Sequence, residues 1–339
     1  MENKELKFIM LCGLSGSGKS AYAKKISRKF NAVHIASDNI RQAVYGDQRI
    51  QDNPSFVFET CQKAAIVNLN NGRSVVFDAT NLRFKNRINI LDAVKKEVKD
   101  VNVTYECHVI VKPIHKCYDD DLDREYNVGK NVIDKQVRQF QIPFYEEGWD
   151  DIKLIGENNA DFSFSNMENT MSKLRVMGRG FDQHTPYHSF TLGEHCDMVA
   201  NYVAEKVNLA KTEHMILHSA SYVHDYGKLF GHTVDENGIW HYYGHAEIGA
   251  YALLCDMMYE PFYTTSIIKF NEKEMTYEQK RPILNSVFYV NYHMIPFDLT
   301  SEKNKRKYEK IFGTEKFNNL MLLHEADING KQLEKEVKA

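Results

Sequence analysis

Across the first 155 residues, short apolar runs alternate with longer stretches whose apolar positions return every three or four residues. The runs Phe8–Cys12, Val33–Ala36, Ser74–Phe77, Val103–Val111 and Lys153–Ile155 predict strands. The periodic stretches Lys19–Phe30, Pro54–Leu69, Phe84–Val98, Pro113–Glu125 and Ile133–Phe140 predict helices. Alternation of this kind predicts a parallel sheet with helices on both faces. The pattern stops at Gly156: from there to Gly180 the chain is polar, rich in Asn and Gly, and reads as a linker. From Phe181 onward helical periods dominate, at Leu192–Leu209, Glu213–Tyr222, Ala246–Met258, Tyr277–Tyr292, Lys303–Ile311 and Thr314–Ala326. The expected organisation is an α/β domain over residues 1–155, a linker over 156–180 and an all-helical domain over 181–339.

A chain of 339 residues, 43% hydrophobic and 12% aromatic, is long enough for two such cores. Its formal charge of −3 gives no global basic field, so any nucleic-acid contact must come from local patches. Six cysteines (Cys12, Cys61, Cys107, Cys117, Cys196 and Cys255) show no CxxC spacing and read as reduced thiols of a cytoplasmic protein. The charged N-terminus runs straight into the first strand without a signal pattern. No apolar run approaches the ~20 residues that span a bilayer, so no membrane partner is expected.

Between Gly13 and Ser20 the chain reads Gly-Leu-Ser-Gly-Ser-Gly-Lys-Ser, directly after a strand and before a helix. Gly13, Gly16 and Gly18 allow successive backbone N–H groups, those of Ser15 and Ser17 included, to curl around phosphate oxygens. Lys19 can reach the β- and γ-phosphates, Ser20 can ligate Mg²⁺, and the following helix turns its positive end to the anion. The motif predicts binding of a nucleoside triphosphate with Mg²⁺.

A phosphate loop alone does not separate a kinase from a GTPase or a motor, but no guanine-reading Asn-Lys-x-Asp occurs. The second strand ends in Ala36-Ser37-Asp38-Asn39-Ile40-Arg41, a carboxylate and a cation at a C-terminal strand edge, where open α/β sheets bind ligands. Asp38 is assigned as the base that takes a hydroxyl proton. The plainer reading makes it an N-cap for Asn39–Tyr45, with Arg41 on a solvated face. The third strand ends in Val75-Val76-Phe77-Asp78, a Walker-B-like element that can hold or orient Mg²⁺. Arg124 and Lys130 then place cations between two helices, where a lid could close over the triphosphate.

With these residues in place, 7–155 resemble the kinase domain of the phage-type polynucleotide 5′-kinases. The shared elements are the phosphate loop, Asp38–Arg41, Asp78–Leu82, and a lid helix fitted by Arg124 and Val132–Pro143. The resemblance implies Asp38 as general base for a 5′-hydroxyl, Arg41 on the neighbouring phosphate, and Lys19 and Ser20 on ATP·Mg²⁺. The chain departs from that family at the second lid arginine, where it has Asn127 and Val128: either Lys130 or Arg138 substitutes, or transition-state stabilisation is weaker.

Nine of the 14 histidines fall between residues 184 and 245. Adjacent His224-Asp225 at a helix end can supply two metal ligands from one turn, and imidazole with carboxylate suits Zn, Mn, Fe, Ni or Co. His184, His214, His218 and His232 read as ordinary core or surface histidines. The spacings His224-Asp-x-Gly-Lys228, His245-x-x-x-Gly-Ala250 and Ala326-Asp327 resemble the HD phosphohydrolase superfamily over residues 184–330. That resemblance implies metal ligation by His195, His224, Asp225 and Asp327, with Lys228 facing a substrate phosphate. His245 and His293 become candidates for a second metal or for phosphate; His188 and His241 are weaker ones. The metal would be a transition ion such as Mn²⁺, Ni²⁺, Co²⁺ or Zn²⁺.

A 5′-kinase joined to a phosphohydrolase has one economical purpose, the healing of RNA or DNA ends: phosphorylation of a 5′-OH and removal of a 3′-phosphate or 2′,3′-cyclic phosphate. No ligase-type lysine motif is present, so sealing would fall to a separate ligase, and a homo-oligomer is compatible with the composition. Two alternatives stand beside it: a metabolite or nucleoside kinase fused to an HD nucleotidase, and a nucleotide-sensing regulatory ATPase.

Overall fold

Apolar runs too short for helices and hydrophobic on both faces become the interior of a parallel sheet. In a computed structural model that describes residues 5–50, 52–156, 161–186, 189–259 and 275–332, these runs are β1 (Leu6–Cys12), β2 (Val33–Ala36), β3 (Val75–Asp78), β4 (Val103–Ile110) and β5 (Asp151–Ile155). All pairings are parallel and the order is β2-β3-β1-β4-β5. The connecting helices are α1 (Lys19–Phe30), α2 (Ser37–Tyr45), α3 (Pro54–Asn70), α4 (Phe84–Glu97), α5 (Ile114–Leu122) and α6 (Lys130–Val137). Ile9 and Leu11 of β1 pack with Tyr22, Ala23 and Ile26 of α1, so burial of one helix face fixes the helix that begins at the phosphate loop. The register pairs Ala36 with Asp78, which brings the ends of β2 and β3 to one level at the C-terminal edge of the sheet.

The second unit is helical: α7 (Met167–Gly178), α8 (Leu192–Lys206), α9 (Thr212–Tyr222), α10 (His245–Asp256), α11 (Tyr277–Tyr292), α12 (Glu302–Phe312) and α13 (Thr314–Gln332). Capping boxes start α8 (Thr191 with Glu194) and α11 (Thr276 with Gln279). Helix α7 lies inside the stretch expected to be a linker. Its buried positions Met167, Thr170, Leu174 and Gly178 follow the helical period, which Asn and Ser between them had obscured.

The division between the units is not a single crossing near residue 156. Val137–Glu146 belongs with the helical unit, and the chain returns to the sheet unit at Glu147. The reason is side-chain burial: Phe140, Ile142 and Phe144 are all buried. Asn291 of α11 accepts from the Ile142 N–H (2.7 Å) and donates to the Phe140 carbonyl (2.9 Å), while the Tyr292 hydroxyl donates to the Ile142 carbonyl (3.0 Å). Helix α6 accordingly stops at Val137, short of the expected Phe140. Among the described residues no helix is long and apolar enough to cross a membrane.

Candidate functional site

Two clusters bear the chemistry, one in each unit. In the sheet unit, residues 13–18 join β1 to α1. A Cβ on Gly16 would lie 2.1 Å from the Cys117 carbonyl oxygen, and its φ of +76° is left-handed, so only glycine passes there. Lys19 opens α1, is buried, and folds back to donate from Nζ to the Leu14 carbonyl (2.5 Å). Burial pushes its pKa down, with the Asp78 carboxylate opposing. The ammonium thus sits over the loop with a backbone oxygen where an anion would be a stronger partner. Ser17 is buried with no hydrogen-bond partner for its hydroxyl among the described residues, and Ser20 is exposed at the first turn of α1.

Asp78 ends β3 buried, 3.0 Å from His34 Nε2 of the neighbouring strand. Asp38 lies in the first turn of α2, whose N-cap is Ala36 rather than Asp38, so capping does not account for its carboxylate. Asp38 is 49% exposed and receives a 2.7 Å bond from Arg41 Nη1. Arg41 itself is buried, which corrects the solvated-face reading. Arg124, on the turn after α5, lies 3.3 Å from Asp121, whose carboxylate also gathers the N–H groups of Val128 and Gly129. Of the two substitutes for a second lid arginine, Lys130 stacks over Tyr118 (5.1 Å), and Arg138 donates to the Tyr243 carbonyl (2.5 Å) within the helical unit.

Gln136 was not foreseen. From α6 its Oε1 accepts from the Ser15 backbone N–H (2.7 Å) while its Nε2 donates to the Ser15 hydroxyl (2.9 Å). A glutamine carries no motif, and only the fold brings it to the loop.

In the helical unit, His195 (α8), His224 and Asp225 (after α9), His245 (α10), His293 (the C-cap of α11) and Asp327 (α13) converge. Asp225 stands at the centre. Its Oδ1 faces His245 Nε2 (3.1 Å) and His293 Nε2 (3.6 Å). Its Oδ2 faces His224 Nε2 (3.4 Å), His195 Nε2 (3.5 Å) and Lys228 Nζ (2.6 Å). Asp327 Oδ1 lies 3.2 Å from His195 Nε2 and 2.9 Å from Lys331. Glycine makes this convergence possible: a Cβ on Gly227 would fall 1.9 Å from the His245 carbonyl, so the turn after Asp225 can press onto the start of α10 only as glycine.

The imidazoles are oriented from behind. Nδ1 of His224, His245 and His293 each meets a backbone carbonyl, of Ser221 (2.7 Å), Tyr242 (2.8 Å) and Val290 (2.7 Å). With the Nδ1 protons so placed, the Nε2 lone pairs turn into the cluster, as metal-binding imidazoles do. Two further facts fit a cation. His245 Nε2 and His293 Nε2 face each other at 3.1 Å, and His224 Nε2 is buried with no hydrogen-bond partner among the described residues. Burial lowers the His293 pKa to about 4, the Asp225 carboxylate opposing. Burial also disfavours charge on His224, yet Asp225 outweighs it and holds that pKa well above the ordinary imidazole value; a bound metal would take the place of that proton. Asp225 is held far below the usual carboxylate range, against its burial, by Lys228 and His224. The donor geometry falls into two groups that share Asp225: His195, His224 and Asp225, and Asp225, His245 and His293. Neutral nitrogen with carboxylate oxygen suits Mn, Ni, Co or Zn.

His241 does not join this cluster; it pairs with Asp235 (3.0 Å) on a short hairpin. His188 lies outside the described residues. Gln183 and Lys331 join unforeseen, Gln183 by accepting from Lys228 Nζ (2.8 Å).

Several solved structures resemble parts of the chain. A chain of the Pnkp1/Rnl/Hen1 RNA repair complex aligns at 20% identity with a TM-score of 0.35, over 40% of this chain and 43% of the repair chain. The matched stretch thus spans less than half of that relative. A gluconokinase from Sinorhizobium meliloti 1021 aligns at 17% identity and TM-score 0.32, over 44% of this chain and 82% of that one. A fungal RNA kinase aligns at 15% identity and TM-score 0.34, over 51% and 88% respectively. No curated protein matches the chain. Residues 8–143 match the AAA domain family, in keeping with a kinase-like phosphate-loop domain that uses ATP and Mg²⁺.

Proposed function

We propose that this chain is a bifunctional end-healing enzyme that phosphorylates 5′-OH nucleic-acid ends with ATP and, at a metal-dependent HD-type site, removes a 3′-phosphate or 2′,3′-cyclic phosphate. The observation that carries the reading is Asp225 set between two groups of imidazole nitrogens, with Lys228 on the same carboxylate, in a chain that also has a complete phosphate loop.

In the kinase reaction Asp38 takes the 5′-hydroxyl proton as that oxygen bonds to the γ-phosphorus. The bond from phosphorus to the bridging oxygen breaks and ADP departs with the electron pair. Arg41, held beneath Asp38, aims the carboxylate. Lys19 leaves the Leu14 carbonyl for the β/γ-phosphates, and Ser20 and Asp78 serve Mg²⁺. At the second site His195, His224, Asp225 and Asp327 would hold one divalent ion, and Asp225, His245 and His293 a second. Bound metal there supplies acidified water and neutralises phosphoryl charge. Lys228 moves from Asp225 to a phosphoryl oxygen of the substrate.

The test compares labelled ATP on 5′-OH RNA, 5′-OH DNA and free nucleosides, alongside phosphate release from 3′-phosphorylated oligonucleotides with Mn, Ni, Co, Zn or Mg. Label on oligonucleotides and metal-dependent release support the proposal. Label confined to small molecules would move the assignment to a metabolite kinase with a nucleotidase, and ATP turnover indifferent to acceptor to a regulatory ATPase.

A further inference from the structure

Beside the His/Asp cluster, a short hairpin carries half-buried aromatic side chains. Its strands, Thr233–Val234 and Trp240–His241, are two residues each. Trp240 is covered by the parallel ring of His232, 3.5 Å between centroids and 5° between planes, and His184 leans on it at 4.3 Å. Both imidazoles are exposed. His184 holds a left-handed φ of +45°, a conformation that costs a non-glycine residue energy and so marks a constrained position. Its carbonyl is bound by the Trp240 N–H (3.0 Å).

This stack is wired to the cluster. The Tyr242 hydroxyl donates to the Gln183 carbonyl (3.0 Å), and the Gln183 side chain accepts from Lys228 (2.8 Å). The Tyr242 carbonyl accepts from His245 Nδ1 (2.8 Å). Lys228 itself lies 5.6 Å from the Tyr242 ring centroid. Lys228 thus stands beside the Tyr242 ring, and the exposed Arg138 reaches the backbone of the next residue, Tyr243. A ligand that is anionic and aromatic complements both features, whereas a phosphosugar would leave the rings idle.

We propose that the His232–Trp240 stack is a platform for the 3′-terminal nucleobase of a single-stranded nucleic acid, the base continuing the stack on the exposed His232 while its phosphate enters the His/Asp cluster beside Lys228. The proposal rests on the phosphohydrolase reading above and names the part of the substrate it recognises. Stacking accepts every base, so the platform discriminates nucleotides from other phosphate esters without choosing a sequence.

The test measures phosphate release from two oligonucleotides, one ending in a 3′-phosphorylated nucleotide and one ending in a 3′-phosphorylated abasic residue. Wild-type protein should show a KM about tenfold lower for the first, in keeping with the stacking contribution of one base. His232→Ala should raise that KM about tenfold and leave kcat and the abasic substrate unchanged, while His232→Phe, which keeps a ring, restores it. Equal KM values for the two substrates in wild-type protein would overturn the platform and leave hydrolysis standing. If the protein hydrolyses neither substrate, the phosphohydrolase reading fails, and a binding measurement still decides the platform. A nucleoside 3′-monophosphate should quench the Trp240 part of the fluorescence, read as wild type minus Trp240→Phe, and lose this effect in His232→Ala. No quenching would overturn the platform.

Discussion

On the proposed reading the phosphate loop and the His/Asp cluster answer the same problem, holding phosphoryl oxygens, with opposite materials. The loop uses backbone N–H groups from eight consecutive residues and needs glycine to bend. The cluster uses side chains from several separate elements, gathered by the packing of five helices and joined through one carboxylate. The lesson is about tolerance. A site of contiguous backbone is fixed by its own residues together with the close approach of Gly16 to Cys117 of α5, and on the proposed reading Lys19 is its cation at the β/γ-phosphates. A site of dispersed side chains depends on its shared member, and loss of Asp225 opens both halves at once.

The sharpest way to break this comparison is Asp225→Ala. It should remove all bound transition metal and all 3′-phosphate release, since the remaining imidazoles belong to two incomplete sets. Metal content by mass spectrometry and circular dichroism on the same sample separate loss of ligand from loss of fold, and kinase activity should persist. Retained metal would show that Asp225 is not the shared ligand. Lys19→Ala should lower 5′-phosphorylation on the order of a thousandfold, with 3′-phosphate release untouched. A smaller loss would mean that the loop N–H groups alone supply most of the stabilisation.

Asp38→Asn should lower kcat by about a hundredfold with ATP affinity nearly unchanged, because the amide keeps a bond from Arg41 but cannot accept a proton. Single-turnover transfer checks this, and near wild-type rates would reduce Asp38 to a partner for Arg41. The smallest effect is expected at Gln136, which holds a loop N–H that would otherwise face phosphate. Gln136→Ala should tighten ATP binding about fivefold, the worth of roughly 1 kcal/mol for hydrogen bonds that compete with ligand. Calorimetric titration reads it, and weaker binding would mean that Gln136 supports the loop instead.

The difference in materials also explains what could be read from the chain. The strands of the parallel sheet and the loop from Gly13 to Ser20 follow from local pattern, since each strand is one apolar run and the loop is contiguous. The His224-Asp225 pair was visible for the same reason. Its surroundings were legible only as spacings, because helices bring His195, His293 and Asp327 together from positions far apart in sequence. Gln136, Gln183 and Lys331 left no signal, being single polar residues whose roles depend on tertiary position. Helix α7 escaped because its buried positions are filled by Met, Thr, Leu and Gly among polar neighbours. The Val137–Glu146 crossing escaped because Phe140, Ile142 and Phe144 look like the end of a lid helix until Asn291 and Tyr292 are seen to hold their backbone.

One substrate tests the central claim most directly: an oligonucleotide with a 5′-OH and a 3′-phosphate, incubated with ATP, Mg²⁺ and Mn²⁺ and read by mass spectrometry of the whole strand. The account predicts conversion to a single product with a 5′-phosphate and a 3′-OH. It predicts only the 3′ change with Lys19→Ala and only the 5′ change with Asp225→Ala. An unaltered strand in the presence of active protein, with ATP consumed on small-molecule acceptors alone, would contradict it.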